Sequence, residues 1–385
     1  MDKITLIASA TMGLESIVAD EVKALGFDNV KTLNGKVEFD GNIKDIAKAN
    51  IWIRCADRIY LKMGEFKATS FEELFQGTKK IPWEKLIPVD GEFPVSWISS
   101  VKSKLFSKSD SQAIIKKAIV ERLKTVYNVE NFRETGASYK IKVQILNDIV
   151  TIQVDTSGEA LHKRGYRVYN NEAPIKETLA AALIYLTKWK GEDYPLIDPT
   201  CGTGTLAIEA AMIAKNMAPG VNRRFSSEKW SIIPANYWVE VRDEAFTKET
   251  DGSGINIFAS DIDGEVISIA KQNAENAGVE DLITFEQKHL VEIYNYTKSP
   301  YGIIISNPPY GDRLEDKEKV EKIYRLLGDV CRKFKDWSYY VITSYEDFQT
   351  QFEMKATKNR KLYNGGIKTY YYQYFGRKPR INRGE

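Results

Sequence analysis

The run Ser306-Asn307-Pro308-Pro309-Tyr310-Gly311-Asp312-Arg313 gathers groups suited to one kind of chemistry. Two consecutive prolines stiffen the backbone and remove its N–H donors. What remains is rich in acceptors, namely the Asn307 side-chain oxygen and the Pro308 carbonyl. Acceptors so placed can bind both hydrogens of an aromatic NH₂ group while Tyr310 stacks on the ring that carries it. An exocyclic amine is a poor nucleophile because its lone pair is delocalised into the ring. Holding both hydrogens favours a pyramidal nitrogen with its lone pair aimed outward, at a methyl carbon. If the methyl donor is a sulfonium, positive charge moves from sulfur to nitrogen in the transition state. Fixed acceptor dipoles stabilise that charge, and in-line alignment lowers the entropic barrier. No strong base is needed, so neither histidine of the chain, His162 or His289, need be catalytic. The catalytic expectation therefore rests on Asn307, Pro308, Pro309 and Tyr310.

A second motif supplies a place for the donor. Leu196-Ile197-Asp198-Pro199-Thr200-Cys201-Gly202-Thr203-Gly204-Thr205 reads as a strand followed by a tight turn into a helix. Glycines let the backbone approach a ligand, and the N–H groups and positive pole of the following helix suit a carboxylate. The competing reading is a dinucleotide loop, since Gly202, Gly204 and Ala207 satisfy a loose G-x-G-x-x-A. That reading wants an acid about 20 residues on, at the end of the next strand. Glu209 falls too early, inside the helix, and the first strand-end acid is Asp261. At the end of Ile255 to Ser260, Asp261 can accept both hydroxyls of a ribose. Asp263 is a second candidate, with capping of the next helix an equal alternative.

The elements around these motifs alternate. Strands are expected at Pro195 to Asp198, Ile255 to Ser260, Leu282 to Glu286, Gly302 to Ser306 and Tyr339 to Thr343. Helices are expected at Lys176 to Leu186, Leu206 to Lys215, Val266 to Asn276 and Glu318 to Phe334. Such alternation predicts a parallel, doubly wound sheet that presents ligands at the carboxyl ends of its strands. Asn364-Gly365 between Lys361 to Tyr363 and Ile367 to Phe375 marks a hairpin, so the sheet should finish with an antiparallel strand.

Upstream, the order is different. Strand, helix, two strands about Asn34-Gly35, helix and strand, from Ile4 to Met63, give the β-α-β-β-α-β order of a ferredoxin-like unit. From Phe66 to about Asp155 follow a short helix, a strand at Phe93 to Ile98, a long helix at Asp110 to Tyr127 with Ser109 as its cap, and two strands about Asn147-Asp148. Lys102, Lys104, Lys108, Lys116, Lys117, Arg122 and Lys124 gather here, with Asp110 the one acid from Val95 to Val120. A loop-plus-helix basic patch can grip phosphates, or can simply be a solvated helix face.

Composition sets bounds. With 55 basic and 53 acidic residues, any polyanion surface must be a local patch. Cys55, Cys201 and Cys331 are scattered, which argues against a zinc site or disulfide framework and fits a reducing compartment. No apolar run nears the ~20 residues that span a bilayer, and the first residues lack the apolar core of a signal peptide. The expectation is a cytoplasmic protein without metal or membrane association.

Several segments together resemble the bacterial THUMP-domain RNA methyltransferases, and most of all the 23S rRNA guanine-N2 methyltransferases in the stand-alone form of Firmicutes-type bacteria. They are Asp155 to Arg167, Ala173-Pro174-Ile175-Lys176-Glu177-Thr178-Leu179-Ala180, the glycine turn, Met217-Ala218-Pro219-Gly220, Asn307 to Arg313, and Lys361-Leu362-Tyr363-Asn364-Gly365. The resemblance implies an α/β chain of four parts: a ferredoxin-like domain over residues 1–65, a THUMP RNA-binding domain over 66–155, a linker over 156–172, and a Rossmann-like class I methyltransferase domain over 173–385. It implies S-adenosylmethionine as cofactor and structured RNA, most of all rRNA, as partner. Lys176, Glu177 and Thr178 then lie near the cofactor, beside Asp198, Thr200, Cys201, Gly202, Thr203, Gly204, Asp261, Ile262 and Asn307. His289 stands where similar enzymes carry an acid toward the adenine, which leaves that contact open. RNA contacts are expected at Lys102, Lys104, Lys108, Lys116, Lys117, Arg164 and Arg313.

The expected reaction is methylation of a guanine N2 amine in 23S rRNA. The alternatives are a tRNA guanine, adenine N6 in DNA, for which no target-recognition domain is evident, and a non-catalytic RNA-binding assembly factor. The segment between residues 216 and 254, with Asn222 to Phe225, Trp230, Tyr237 and Trp238, reads either as a wall of the base pocket or as a helical cap packed on its own core.

Overall fold

The computed structural model describes residues 3–168, 175–191, 194–310 and 317–377. They form two compact units. The first comprises residues up to 10, 18–161 and 223–244, and the second 11–17, 162–222 and 245 onward.

The first unit is built on a seven-stranded sheet. Its strands are β1 (Ile4–Ala10), β2 (Asp28–Leu33), β3 (Lys36–Gly41), β4 (Ala56–Lys67), β5 (Val95–Val101), β6 (Ile141–Leu146) and β7 (Ile149–Asp155), in the order β2-β3-β1-β4-β7-β6-β5. The helices are α1 (Glu15–Ala24), α2 (Ile43–Trp52), α3 (Phe71–Lys79) and α4 (Lys108–Tyr127). All pairings are antiparallel except β5 with β6. That parallel pair needs a long crossover, and α4 lies within it.

Strand β4 pairs with β1 on one side and β7 on the other. The two modules expected to meet at residues 65 and 66 thus share one sheet. Helix α4 begins earlier than Ser109 implied. Its cap is Ser107, which accepts from the Asp110 N–H and donates to the Asp110 carboxylate at 2.6 Å.

Residues 223–244 correct the reading of that segment as a cap packed on its own core. Trp230 is buried and stacks on Tyr139 with ring centres 4.9 Å apart. The Ser227 hydroxyl donates to the Thr156 carbonyl at 2.7 Å, and Arg223 donates to the carbonyls of Glu159 and Ala160. The segment joins the core of the first unit through partners over sixty residues away, rather than packing only on itself.

In the second unit the strands are β8 (Leu196–Asp198), β9 (Ile257–Asp261), β10 (Ile283–Gln287), β11 (Ile303–Ser306), β12 (Ser338–Thr343), β13 (Lys358–Asn364) and β14 (Ile367–Tyr374), in the order β10-β9-β8-β11-β12-β14-β13. The helices are α5 (Glu177–Thr187), α6 (Thr205–Ala214), α8 (Gly264–Ala277), α9 (Lys317–Lys333) and α10 (Phe348–Phe352); α7 (Ala235–Thr247) precedes α8 in the chain. Along that order the strands from β10 to β12 run parallel, and β14 runs antiparallel to both β12 and β13. The chain winds outward from β8 in one direction and from β11 in the other, so the switch point lies between these two strands. Every residue of both is buried, as a parallel sheet covered on both faces requires. Only the carboxyl ends of such strands are left to present chemistry.

Candidate active site

Two loops leave the sheet side by side at the switch point. Asp198 ends β8 and Ser306 ends β11, and these strands are direct neighbours. The hydroxyls of Thr200 and Ser306 meet at 2.7 Å, which ties the glycine turn to the start of the Asn-Pro-Pro-Tyr run. Both predicted motifs therefore open on one edge of one sheet.

The glycine turn is tight for stated reasons. Gly202 and Gly204 have φ of +50° and +85°, a region that penalises a side chain. A β-carbon on Gly204 would come within 3.1 Å of Ala270 and 3.2 Å of the Phe285 ring, whereas one on Gly202 would meet nothing within 4 Å. The backbone at Gly202 faces open space, and Gly204 seats the turn against the protein. The Cys201 N–H is taken by the Ser260 carbonyl of β9. Asp261 accepts the N–H of Gly202 at 3.0 Å through one oxygen and the N–H of Asp263 at 3.1 Å through the other. Each carboxylate oxygen keeps a second lone pair for a hydroxyl. Asp263 takes the capping role, accepting from the Glu265 N–H at 2.8 Å. Ile262 stands between them, 66 % exposed, an apolar ledge next to the carboxylate.

Asp198 is fully buried beneath the turn. Burial pushes its carboxyl up to about 8, the Thr200 N–H opposes this, and the charge of Asp261 adds to it. Glu177 is also raised by burial, against the pull of Arg167, whose Nε lies 3.1 Å from its carboxylate. Burial raises the Cys201 thiol as well, so it is no thiolate nucleophile. Lys176 is the residue before α5, and Thr178 is buried in its first turn.

His289 is exposed and caps the short turn Leu290–Asn295. Its backbone N–H is taken by Glu292 at 2.9 Å, and its ring accepts from Val291 at 3.5 Å.

In the second loop, Asn307 is half-buried, and its Oδ1 accepts the Tyr310 hydroxyl at 2.8 Å. The Pro309 carbonyl accepts the hydroxyl of Tyr324, also at 2.8 Å. Gly311 to Arg313 lie outside the described residues, as do Ala173 and Pro174.

The expected RNA contacts divide. Lys102, Lys104, Lys108 and Lys117 are exposed and carry no ion pair among the described residues. Lys116 is otherwise engaged: its ammonium is 2.8 Å from Glu134, donates to the Phe93 carbonyl and sits 3.5 Å over the Phe93 ring. Arg122 and Lys124 pair with Glu84 and Glu130. Arg164 is corrected outright. It is 6 % exposed with Nε 3.4 Å from the buried Glu209, so its charge serves the interior and not a phosphate on the surface.

Three supporting residues have no role assigned from the sequence. Ser306 forms half of the hydroxyl bridge, Tyr324 holds Pro309, and Asn273 holds the glycine turn. The Asn273 amide donates to the Thr203 carbonyl at 3.0 Å and accepts the Val168 N–H at 2.9 Å. Asn273 and Tyr324 do interrupt the apolar stripes of α8 (Ile267, Ala270, Ala274) and α9 (Val320, Leu327, Cys331), and a polar group on such a stripe is the sign that could have found them.

These residues fit a ligand with a carboxylate, a ribose and a flat base: free N–H groups at the start of α6, two carboxylate oxygens at Asp261, and the Ile262 ledge. Among the described residues no cluster of His, Cys, Asp or Glu could hold a metal, and no helix is long and apolar enough to cross a membrane.

Comparison with known proteins agrees. Residues 164–373 match the family described as "RMKL-like, methyltransferase domain", residues 5–60 the "RlmL ferredoxin-like domain", and residues 68–155 the "THUMP domain". The chain is 50 % identical to "Putative RNA methyltransferase YpsC" of Bacillus subtilis (strain 168), over 98 % of this chain and 97 % of that protein. The crystal structure of a predicted N6-adenine-specific DNA methylase from Listeria monocytogenes superposes with a TM-score of 0.92 at 50 % identity, covering 98 % and 97 % of the two chains. The structure of SMU.472, a putative methyltransferase complexed with SAH, superposes with a TM-score of 0.91 at 42 % identity, covering 98 % and 99 %. The glycine turn, the strand-end Asp261 and the Asn-Pro-Pro-Tyr corner thus sit in a chain that belongs to the RMKL-like methyltransferases, with an RlmL-type ferredoxin-like domain and a THUMP domain before the catalytic one and S-adenosylmethionine as methyl donor.

Proposed function

We propose that this protein methylates the exocyclic N2 amine of a guanine in structured RNA, with 23S rRNA as the substrate class. The observation that carries the reading is the 2.7 Å contact between Thr200 and Ser306, because it fixes the donor turn and the acceptor corner next to each other. The THUMP match, the name of the Bacillus relative and the unpaired Lys102, Lys104, Lys108 and Lys117 favour RNA over DNA. The name given to the Listeria protein points to the competing class, adenine N6 in DNA. The sequence resemblance favours guanine N2.

In this reading the bound cofactor supplies an electrophilic methyl carbon on a sulfonium. The N–H groups of Thr203 and of the start of α6 receive its carboxylate end, Asp261 the ribose, and Ile262 the face of the adenine. Asp198, protonated near neutral pH by burial, lies beneath the turn, and a cation bound above it would favour the ionised form. Lys176, Glu177 and Thr178 border the same site at the start of α5.

Asn307 Oδ1 and the Pro308 carbonyl accept the two hydrogens of the amine. The Pro309 carbonyl is held by Tyr324, and in this reading that of Pro308 serves the substrate. The incoming amine replaces the Tyr310 hydroxyl on Asn307, one donor for another, and frees the phenol ring to cover the base. A base presenting a carbonyl at that point would set acceptor against acceptor.

The test is methyl transfer from labelled S-adenosylmethionine to rRNA, tRNA and duplex DNA, each purified from a strain lacking this protein and digested to nucleosides. N2-methylguanosine from rRNA is the expected product. Label in N6-methyladenine of DNA, or no label with a folded and cofactor-binding protein, would overturn the proposal.

A further inference from the structure

Tyr324 lies in the middle of α9, completely buried, and its hydroxyl belongs to a chain of hydrogen bonds that ends on the acceptor corner. The Tyr345 backbone N–H donates to Thr343 Oγ1 at 3.0 Å, Thr343 and Tyr324 share a bond of 2.9 Å, and Tyr324 donates to the Pro309 carbonyl at 2.8 Å. The direction is forced. An amide N–H can only donate and a carbonyl can only accept, so both hydroxyl protons must point toward Pro309. Chains of this kind polarise one another and are strongest where water is excluded. Thr343, like Tyr324, is fully buried.

The ring is held independently of its hydroxyl. It meets Phe348 edge-on with centres 5.0 Å apart and Tyr345 at 5.5 Å. The oxygen could therefore be removed without loosening the side chain. Proline has no N–H, so the Pro308-Pro309 backbone cannot anchor itself through donors, and a carbonyl is what an outside group can grip. Tyr324 supplies that grip three residues from the end of β11.

We infer that Tyr324, with Thr343 behind it, is a positioning residue for methyl transfer: it locks the Pro309 carbonyl, so that the Pro308 carbonyl and Asn307 Oδ1 are aimed together at the amine. This rests on the reading of Asn307 and Pro308 as the amine's acceptors. The cofactor turn lies on other strands, β8 and β9, so the lock acts on the rate and not on donor binding.

The experiment measures methyl transfer at saturating S-adenosylmethionine to rRNA from a strain lacking this protein, together with cofactor affinity by calorimetry, for wild type, Tyr324→Phe, Thr343→Val, Thr343→Ser and Asn307→Ala. A misaimed reacting group costs roughly 10- to 100-fold, and a fall of that order is expected for Tyr324→Phe with cofactor affinity unchanged. Thr343→Val should lose less, and Thr343→Ser, which keeps the hydroxyl, should stay near wild type. Full activity of Tyr324→Phe beside an inactive Asn307→Ala would overturn the inference and leave the acceptor reading standing. Equal losses of rate and cofactor affinity in Tyr324→Phe would also overturn it, since they would mark a general lesion. An active Asn307→Ala would remove the acceptor reading itself, and this inference with it.

Discussion

The chain builds two seven-stranded sheets from the same kinds of residue and uses them in opposite ways. In the first, antiparallel but for one pair, one face packs on helices and the other carries polar groups. There Lys36 and Lys62 both pair with Glu38, and Lys142 lies 4.6 Å over the Tyr60 ring and 4.7 Å over Trp97. In the second, the central strands are buried on both faces and have no polar face at all. The first pairs several of its sheet charges with one another, and Lys102, Lys104, Lys108 and Lys117 gather beyond the sheet without an ion pair among the described residues. In the function proposed above, the second has its chemistry at the ends of β8, β9 and β11. A sheet covered on one side leaves a face for polar groups, whereas one covered on two sides leaves only its strand ends.

The largest effect that would sharpen this contrast is at the strand end. Asn307→Ala removes a side-chain acceptor at the developing charge and should slow methyl transfer by about 10²- to 10³-fold, measured in single turnover with RNA bound. RNA affinity should not change. Next, Asp261→Ala removes hydrogen bonds to a charged acceptor, each worth about 1.5–3 kcal/mol. Calorimetry should show cofactor affinity lower by roughly 10- to 100-fold, again without effect on RNA.

The reciprocal test is on the first unit. Replacing Lys102, Lys104, Lys108 and Lys117 by alanine should weaken RNA binding and lower the salt slope by about 3 if all four touch phosphates. Cofactor affinity should stay as it was. If it fell, the division between binding surface and catalytic edge would be wrong.

A separate effect is in stability. Asp198 has its pKa raised from 3.8 to about 8 by burial. A carboxyl that holds its proton more tightly when folded favours folding fully below its unfolded value, and that contribution is lost as pH rises from near 4 through 8. Melting of the cofactor-free protein should show this decline across that window. Asp198→Asn, which cannot ionise, should flatten it, and an unchanged profile would show that another group dominates.

How much was legible in the sequence follows the range of the interactions. The glycine turn, Asp261 and the Asn-Pro-Pro-Tyr run could be read because each is local: a strand, then a turn whose residue types have a backbone reason to be there. The hairpins at Asn34-Gly35 and Asn364-Gly365 were legible for the same reason. Partners far along the chain were not. Thr200 and Ser306 are 106 residues apart, and Trp230 finds Tyr139 through packing that no periodicity announces. The lysine cluster was visible, but its division into paired Lys116 and unpaired Lys117 depends on which side of α4 faces Glu134. Arg164 misled because a charged residue is normally exposed, and only the buried Glu209 reverses that expectation.

The membership of residues 223–244 in the first unit has a consequence for synthesis. A ribosome delivers the chain from the amino end, so by residue 161 the first sheet is complete in strands but still lacks the indole that covers Tyr139. That indole arrives only after the glycine turn and α6 have emerged. The nascent first unit must therefore wait, one aromatic face bare, while part of the second is being made. A fragment ending at residue 161 would keep that defect permanently, and joining residues 223–244 to it through a short linker is the remedy the fold suggests.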